Sequence, residues 1–167
     1  MNNYTGKPEL TTAEAITNDG FWSDLAMADL MAQYRIPSEY ADEVIKDGLI
    51  LAMIEINRQL RAVKAVLLLD FADIDAYTTA HSEQIGGVEV FVKKYQEAVF
   101  SYAKALLLQQ FKTMNRKPEA ENQAKESPET ETYWLNKSGA AVAFLFEKLG
   151  VDRETGRQAL NAQTYLL

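Results

Sequence analysis

The chain has 167 residues, 47% of them hydrophobic, with a formal net charge of −7 and a pI near 4.8. That is enough apolar material for one packed domain, and the excess of acid argues against a general duplex-binding surface, which needs clustered Lys and Arg. The absence of cysteine and the single histidine, His81, exclude disulfides, thiolate metal sites, cysteine nucleophiles and any multi-histidine metal site within one chain.

Residues 1–20 show no sustained apolar period and contain Pro8 and Gly20, so they are expected to form a flexible N-terminal arm. The opening MNNYTGKPELTT lacks the basic start and apolar centre of a signal peptide. No apolar run reaches the roughly 20 residues of a membrane span. The expectation is a soluble protein of a reducing compartment, with no membrane partner.

A helical domain is expected over residues 21–150. Phe21 and Trp22 precede Ser23 and Asp24, either of which can cap a short helix carrying Leu25, Met27, Leu30, Met31 and Tyr34. That helix should stop before Pro37. Residues 38–63 then place Tyr40, Val44, Ile45, Gly48, Leu49, Ala52, Ile56, Leu60 and Val63 at steps of three and four, one face of a helix roughly 35–40 Å long. Ser38 is its candidate cap.

The periodicity breaks after residue 63. Residues 65–69 are continuously apolar, and residues 70–82 alternate acidic and apolar side chains, which reads as an extended loop. A flexible central loop is therefore expected over residues 70–87, with Gly86 and Gly87 punctuating its end. Residues 88–114 form a second long helix. One face carries Phe91, Val92, Tyr95, Ala98, Val99, Tyr102 and Leu106; Phe100, Ala103, Leu107 and Phe111 carry apolar character round the side. A stripe this wide implies more than one packing partner. Residues 115–130 are polar and proline-bearing, a flexible loop. A medium helix should follow, opened by Ser127 and Pro128, with Tyr133, Trp134, Ala140, Ala141, Phe144, Leu145 and Leu149 buried and Gly150 at its end. Residues 151–167 have no convincing helical stripe and read as a tail ending Tyr165, Leu166, Leu167. The expected fold is all-α, a bundle of about four helices, one short, two long and one medium.

No catalytic constellation emerges. Gly86-Gly87 lacks the spacing of a phosphate loop. The acids Asp70, Asp73 and Asp75 fail the calcium-loop pattern: counting from Asp73, the sixth residue is Thr78 and the twelfth Gln84. His81 has no Ser or Cys pattern that would make it a general base. No cofactor and no enzymatic activity are expected.

Several pieces nonetheless resemble the head completion (head stabilisation, L-protein) family of contractile-tailed bacteriophages, and more broadly the head-tail connector proteins. They are Trp22-Ser23-Asp24-Leu25 before a short and then a long helix; Ala52-Met53-Ile54-Glu55-Ile56-Asn57-Arg58-Gln59-Leu60 near its end; and Ala72-Asp73-Ile74-Asp75 ahead of an aromatic-rich helix with Phe91, Tyr95-Gln96-Glu97-Ala98 and Gln109-Gln110-Phe111. A polar insert before Tyr133-Trp134 completes the pattern. The resemblance implies a virion protein of the head-tail junction, assembled in the bacterial cytoplasm. It would form a ring of about twelve copies at the portal vertex, seal the packaged head and offer a docking surface to tail or neck proteins. It implies no specific nucleic-acid site, although packaged DNA passes nearby. On this reading the contact residues are Asp73, Asp75, Tyr77 and His81, facing the channel or tail; Phe100 and Leu107 on the wide helix; and Tyr165, Leu166 and Leu167 in a segment, 153–167, that meets the portal. The other reading is a helical adaptor that binds one protein through the apolar face of residues 88–114.

Overall fold

The computed structural model describes residues 15–36, 40–114 and 130–153. Six helices and two minimal strand pairs make up these residues: β1 Ala15–Ile16, β2 Leu25–Ala26, α1 Met27–Tyr34, α2 Asp42–Gln59, α3 Arg61–Leu67, α4 Ile74–Ala80, β3 Gln84–Ile85, β4 Val88–Glu89, α5 Val90–Met114 and α6 Glu131–Lys148. The fold is predominantly helical, as the periodicities require, with more helices than the four expected. The expected helix-capping residue Ser38, the linker 115–129 with Ser127 and Pro128, most of the arm (1–14) and the tail beyond Arg153 lie outside the described residues.

Helix α5 is the middle of the molecule. It packs along α2 on one side and along α6 on the other, while α2 and α6 hardly touch. That is why its stripe is so wide: Tyr95, Val99, Phe100, Ala103 and Leu107 are all buried, against two layers rather than one. On the α2 side the approach is close because Gly48 stands opposite Leu107; a Cβ at position 48 would lie 3.2 Å from Leu107 Cδ2. The Tyr40 hydroxyl donates to the Leu107 carbonyl at 2.8 Å. On the α6 side, Ser138 Oγ donates to the Ala98 carbonyl at 2.8 Å.

The long helix foreseen over 38–63 is split. Helix α2 ends at Gln59 and α3 starts at Arg61, with Leu60 at φ −89°, ψ 11°. Hydrogen bonds run from Leu60 N–H to Ile56 O and from Lys64 N–H to Leu60 O, so α3 follows α2 directly across a break at Leu60. Helix α1 is preceded by Ala26, not by Ser23 or Asp24, because residues 25–26 first pair antiparallel with residues 15–16. It stops at Arg35, in a left-handed conformation (φ 48°) whose carbonyl accepts from Lys104 Nζ at 3.2 Å. Helix α6 is capped by Thr130, whose hydroxyl accepts from Tyr133 N–H, and its exit runs through Gly150 at φ 62°, the left-handed position for which glycine is suited. Trp134, Ala141 and Leu145 are buried as expected, Phe144 and Leu149 are partly buried, and Tyr133 and Ala140 are exposed, so the buried face of α6 is narrower than the sequence implied.

The stretch 70–87 is not an extended loop. Asp73 caps α4 by accepting the Ala76 N–H at 2.8 Å, and Ile74, Tyr77 and Thr78 fall at the first, fourth and fifth positions, the spacing of a short buried helical face. Residues 84–89 then form a hairpin pairing Gln84 with Glu89 and Ile85 with Val88. The turn residues Gly86 (φ 62°) and Gly87 (φ 78°) both take positive φ, which the tight mirror-image hairpin turn demands.

Close packing at Gly48 gives a direct test. Gly48→Val should force α2 away from Leu107 and cost about 1–3 kcal/mol, as overpacked cores do; a melting temperature equal to that of the parent protein would refute the close approach.

Candidate functional site

The features a partner could use gather at the N-terminal end of α5. Aromatic rings run in series from the surface inward. His81 stacks on Tyr77 (5.1 Å, 22°), Phe71 meets both edge-on, and Tyr77 meets Phe91 at 5.0 Å. Trp22 stacks between Phe91 and Tyr95, its centroid 4.7 Å from the latter. Such offset and edge contacts add to area burial and fix relative orientation. They hold α4 to α5, and the Ile74 N–H to Phe21 carbonyl bond (3.0 Å) holds α4 to the bend at residues 19–22. Burial pushes the Tyr77 phenol above its ordinary range.

The hairpin is rigid at its base. The Glu89 carboxylate accepts from Ser82 Oγ (2.6 Å), Gln84 Nε2 (2.7 Å) and the Glu83 N–H (3.2 Å); the first two bonds hold it below the usual carboxylate range. Glu83 pairs with Lys148 at the end of α6, which raises the lysine. From this base a tip free of charge projects. Ile85 is 74% exposed and Val88 47% exposed, separated only by the two glycines. Leu68 and Leu69, at the turn out of α3, are also exposed.

Behind this end lies a shallow, open hollow of about 340 Å³ lined by Ile16, Ile50, Met53 and Ile54, with Asn18, Asp19 and Asn57 among its polar members. Its polar groups are occupied in holding the chain together. Asn18 Nδ2 donates to the Tyr95 hydroxyl (2.7 Å), which donates to Asn57 Oδ1 (2.7 Å), and Asn57 Nδ2 donates back to Asn18 Oδ1 (2.8 Å). This closed triangle joins the segment before α1 to α2 and α5. Burial raises the Tyr95 phenol strongly, only partly offset by the bond from Asn18. Asp19 Oδ1 accepts from the Phe21 and Trp22 N–H groups, and Oδ2 pairs with Lys64 Nζ at 2.8 Å. Desolvation works to raise the Asp19 carboxyl, but the lysine and the two amides outweigh it and hold it low. The hollow is thus a seam between elements, not a deep polar cleft.

The predicted contact residues separate into four kinds. Asp73 is the α4 cap and Asp75 is exposed on its first turn. Tyr77 is buried and His81 is exposed, stacked on each other. Phe100 and Leu107 are 0% and 1% exposed, inside the chain's own core: Phe100 meets Tyr34 edge-on at 5.6 Å and Leu107 faces Gly48. In this conformation they offer nothing to a partner, because α2 and α6 already cover both sides of α5. Tyr165, Leu166 and Leu167 lie outside the described residues. The sequence reading missed the hairpin tip. Alternating residues about Gly86-Gly87 carry the signal for it, a two-residue glycine turn between extended pairs.

The family described as "Phage head completion protein (GPL)" matches residues 16–154. A protein of Haemophilus phage HP1 (strain HP1c1), named "Probable head completion/stabilization protein", is 29% identical over 112 residues, covering 67% of this chain and 73% of that one. No solved structure matches.

The Asp19 pair makes stability pH-dependent with a fixed sign. A carboxyl held below its ordinary value of 3.8 stabilises the fold above that pH and loses its effect as pH falls through the lower folded value. Asp19→Asn should therefore melt earlier than the parent at pH 7, by less than about 1 kcal/mol for so exposed a pair. The gap should close as the pH falls below 3.8. Thermal melts of both proteins at pH 7 and in acid check this; a gap that persists unchanged in acid contradicts it.

Proposed function

The chain belongs to the phage head completion protein (GPL) family, and on that premise we propose that it works at the portal vertex, as one subunit of a ring that closes the packaged head and receives the tail. The observation that carries this reading is the rigid uncharged tip of Ile85 and Val88, projecting from the end of the bundle. An exposed aliphatic pair on a stiff hairpin gains free energy when another protein covers it. Segment 72–87 is the side turned to the channel or tail, and segment 153–167 is the part that meets the portal. The role is architectural, and the excess of acid suits a DNA passage, which must not hold the duplex. Binding of one partner through the face of residues 88–114 is not favoured, since Phe91, Tyr95, Ala98, Val99, Phe100, Ala103 and Leu107 on it are all buried in the chain's own core.

DNA-filled, tailless heads mixed with the purified protein provide the assay. The parent protein should sediment with the heads and restore tail joining. Ile85→Asp with Val88→Asp should leave the stability within about 0.5 kcal/mol of the parent, as exposed changes do, and still bind heads, yet abolish tail joining. Normal tail joining would refute the orientation. Deletion of residues 153–167 should remove head binding with helicity intact by circular dichroism; retained binding would refute that assignment.

A further inference from the structure

Helices α2 and α3 together carry a second stripe, on the side away from the core. Leu51, Ile54, Arg58, Arg61, Ala65 and Leu68 follow one another at steps of 3, 4, 3, 4 and 3, and all six are exposed. Within each helix those steps are the spacing of a face that packs against another helix. The aliphatic members are well exposed, Ile54 at 60% and Leu51 at 43%. Leu68 and Leu69, beyond the two arginines, are 49% and 80% exposed, so aliphatic side chains stand free at both ends of the stripe.

The opposite flank is complementary. The outward side of α6 carries Asn136, Ala140, Ala143 and Glu147, again at helical steps. Its small residues leave room for long side chains to lie across it. Arg61 is in no ion pair and Glu147 is in none, among the described residues. Because α5 separates α2 from α6, these two flanks look away from each other and cannot meet within one chain. Arg58 is already paired with Glu55 at 2.7 Å, but two copies joined through the same α2–α3 face would bring Arg61 near its own counterpart, which is repulsive. A contact between unlike faces, arginine side to glutamate side, avoids this and repeats head to tail.

We infer that the α2–α3 stripe of one copy packs on the outward face of α6 of a second copy, with Arg61 opposite Glu147, and that this is the contact between neighbours in the ring. The inference rests on the ring reading above and adds to it which surfaces meet.

The chain has no cysteine, so engineered thiols report cleanly. Ile54→Cys and Ala140→Cys placed together in the full chain, bound to DNA-filled heads and oxidised, should give a ladder of covalent multimers. Each single variant alone should give only monomer. Arg61→Glu should cut the number of copies retained on heads about tenfold, the scale of one lost charge pair, and Glu147→Arg in the same chain should restore it. Copies retained on heads without a ladder, or single-thiol chains that link to themselves, would overturn the contact and leave the portal-vertex reading in place. Failure of the parent protein to bind heads at all would overturn that reading, and this inference with it.

Discussion

Everything in this molecule is arranged about a helix with neighbours on two sides. Helix α5 supplies buried residues to both α2 and α6, and the contact with α2 is close because residue 48 is glycine. Without that double burial the chain would be two pairs of helices with little to hold them together, because α2 and α6 make almost no contact of their own. The arrangement also decides what is left over. The apolar surface of α5, the most conspicuous in the sequence, is internal, and the surfaces open to other proteins are the backs of its two neighbours and the hairpin that leads into it.

The segment before α1 stabilises this arrangement from outside. A loop of a dozen residues would add little by itself, but it inserts Trp22 among Phe91 and Tyr95 and closes a hydrogen-bonded triangle through Asn18, Tyr95 and Asn57. Each polar group in that triangle is satisfied by the other two, so burial costs little and orientation is fixed. Asp19 adds a clamp on two backbone amides and a lysine of α3. The bend thus ties α2, α3 and α5 to one another, and through Phe21 it also ties in α4.

The helices were legible in the sequence wherever a buried face recurs over several turns. Residues 42–59, 90–114 and 131–148 show the period plainly, and the width of the α5 stripe correctly implied two packing partners. What failed was local. Helix α4 is only seven residues long, so Ile74, Tyr77 and Thr78 sketch less than two turns, and the intervening aspartates gave the appearance of alternation. The hairpin after it has two-residue strands, too short for any period to appear. Phe100 and Leu107 looked like contact residues because a sequence cannot say whether a wide apolar face is covered by the chain itself or by another. Asn18, Asn57 and Lys64 gave no sign of their role, since partners 38 to 77 positions apart are joined only by the fold.

The position of the hairpin has a collective consequence. It extends from the end of α5, not from either flank. Copies joined flank to flank would therefore carry their Ile85–Val88 tips along one common rim. A single tip covers too little area to hold a partner for long, but a circle of tips meeting a matching circle raises the effective concentration of every contact after the first. On the proposed ring, attachment through the tips would be weak for a stray subunit and firm for many copies side by side.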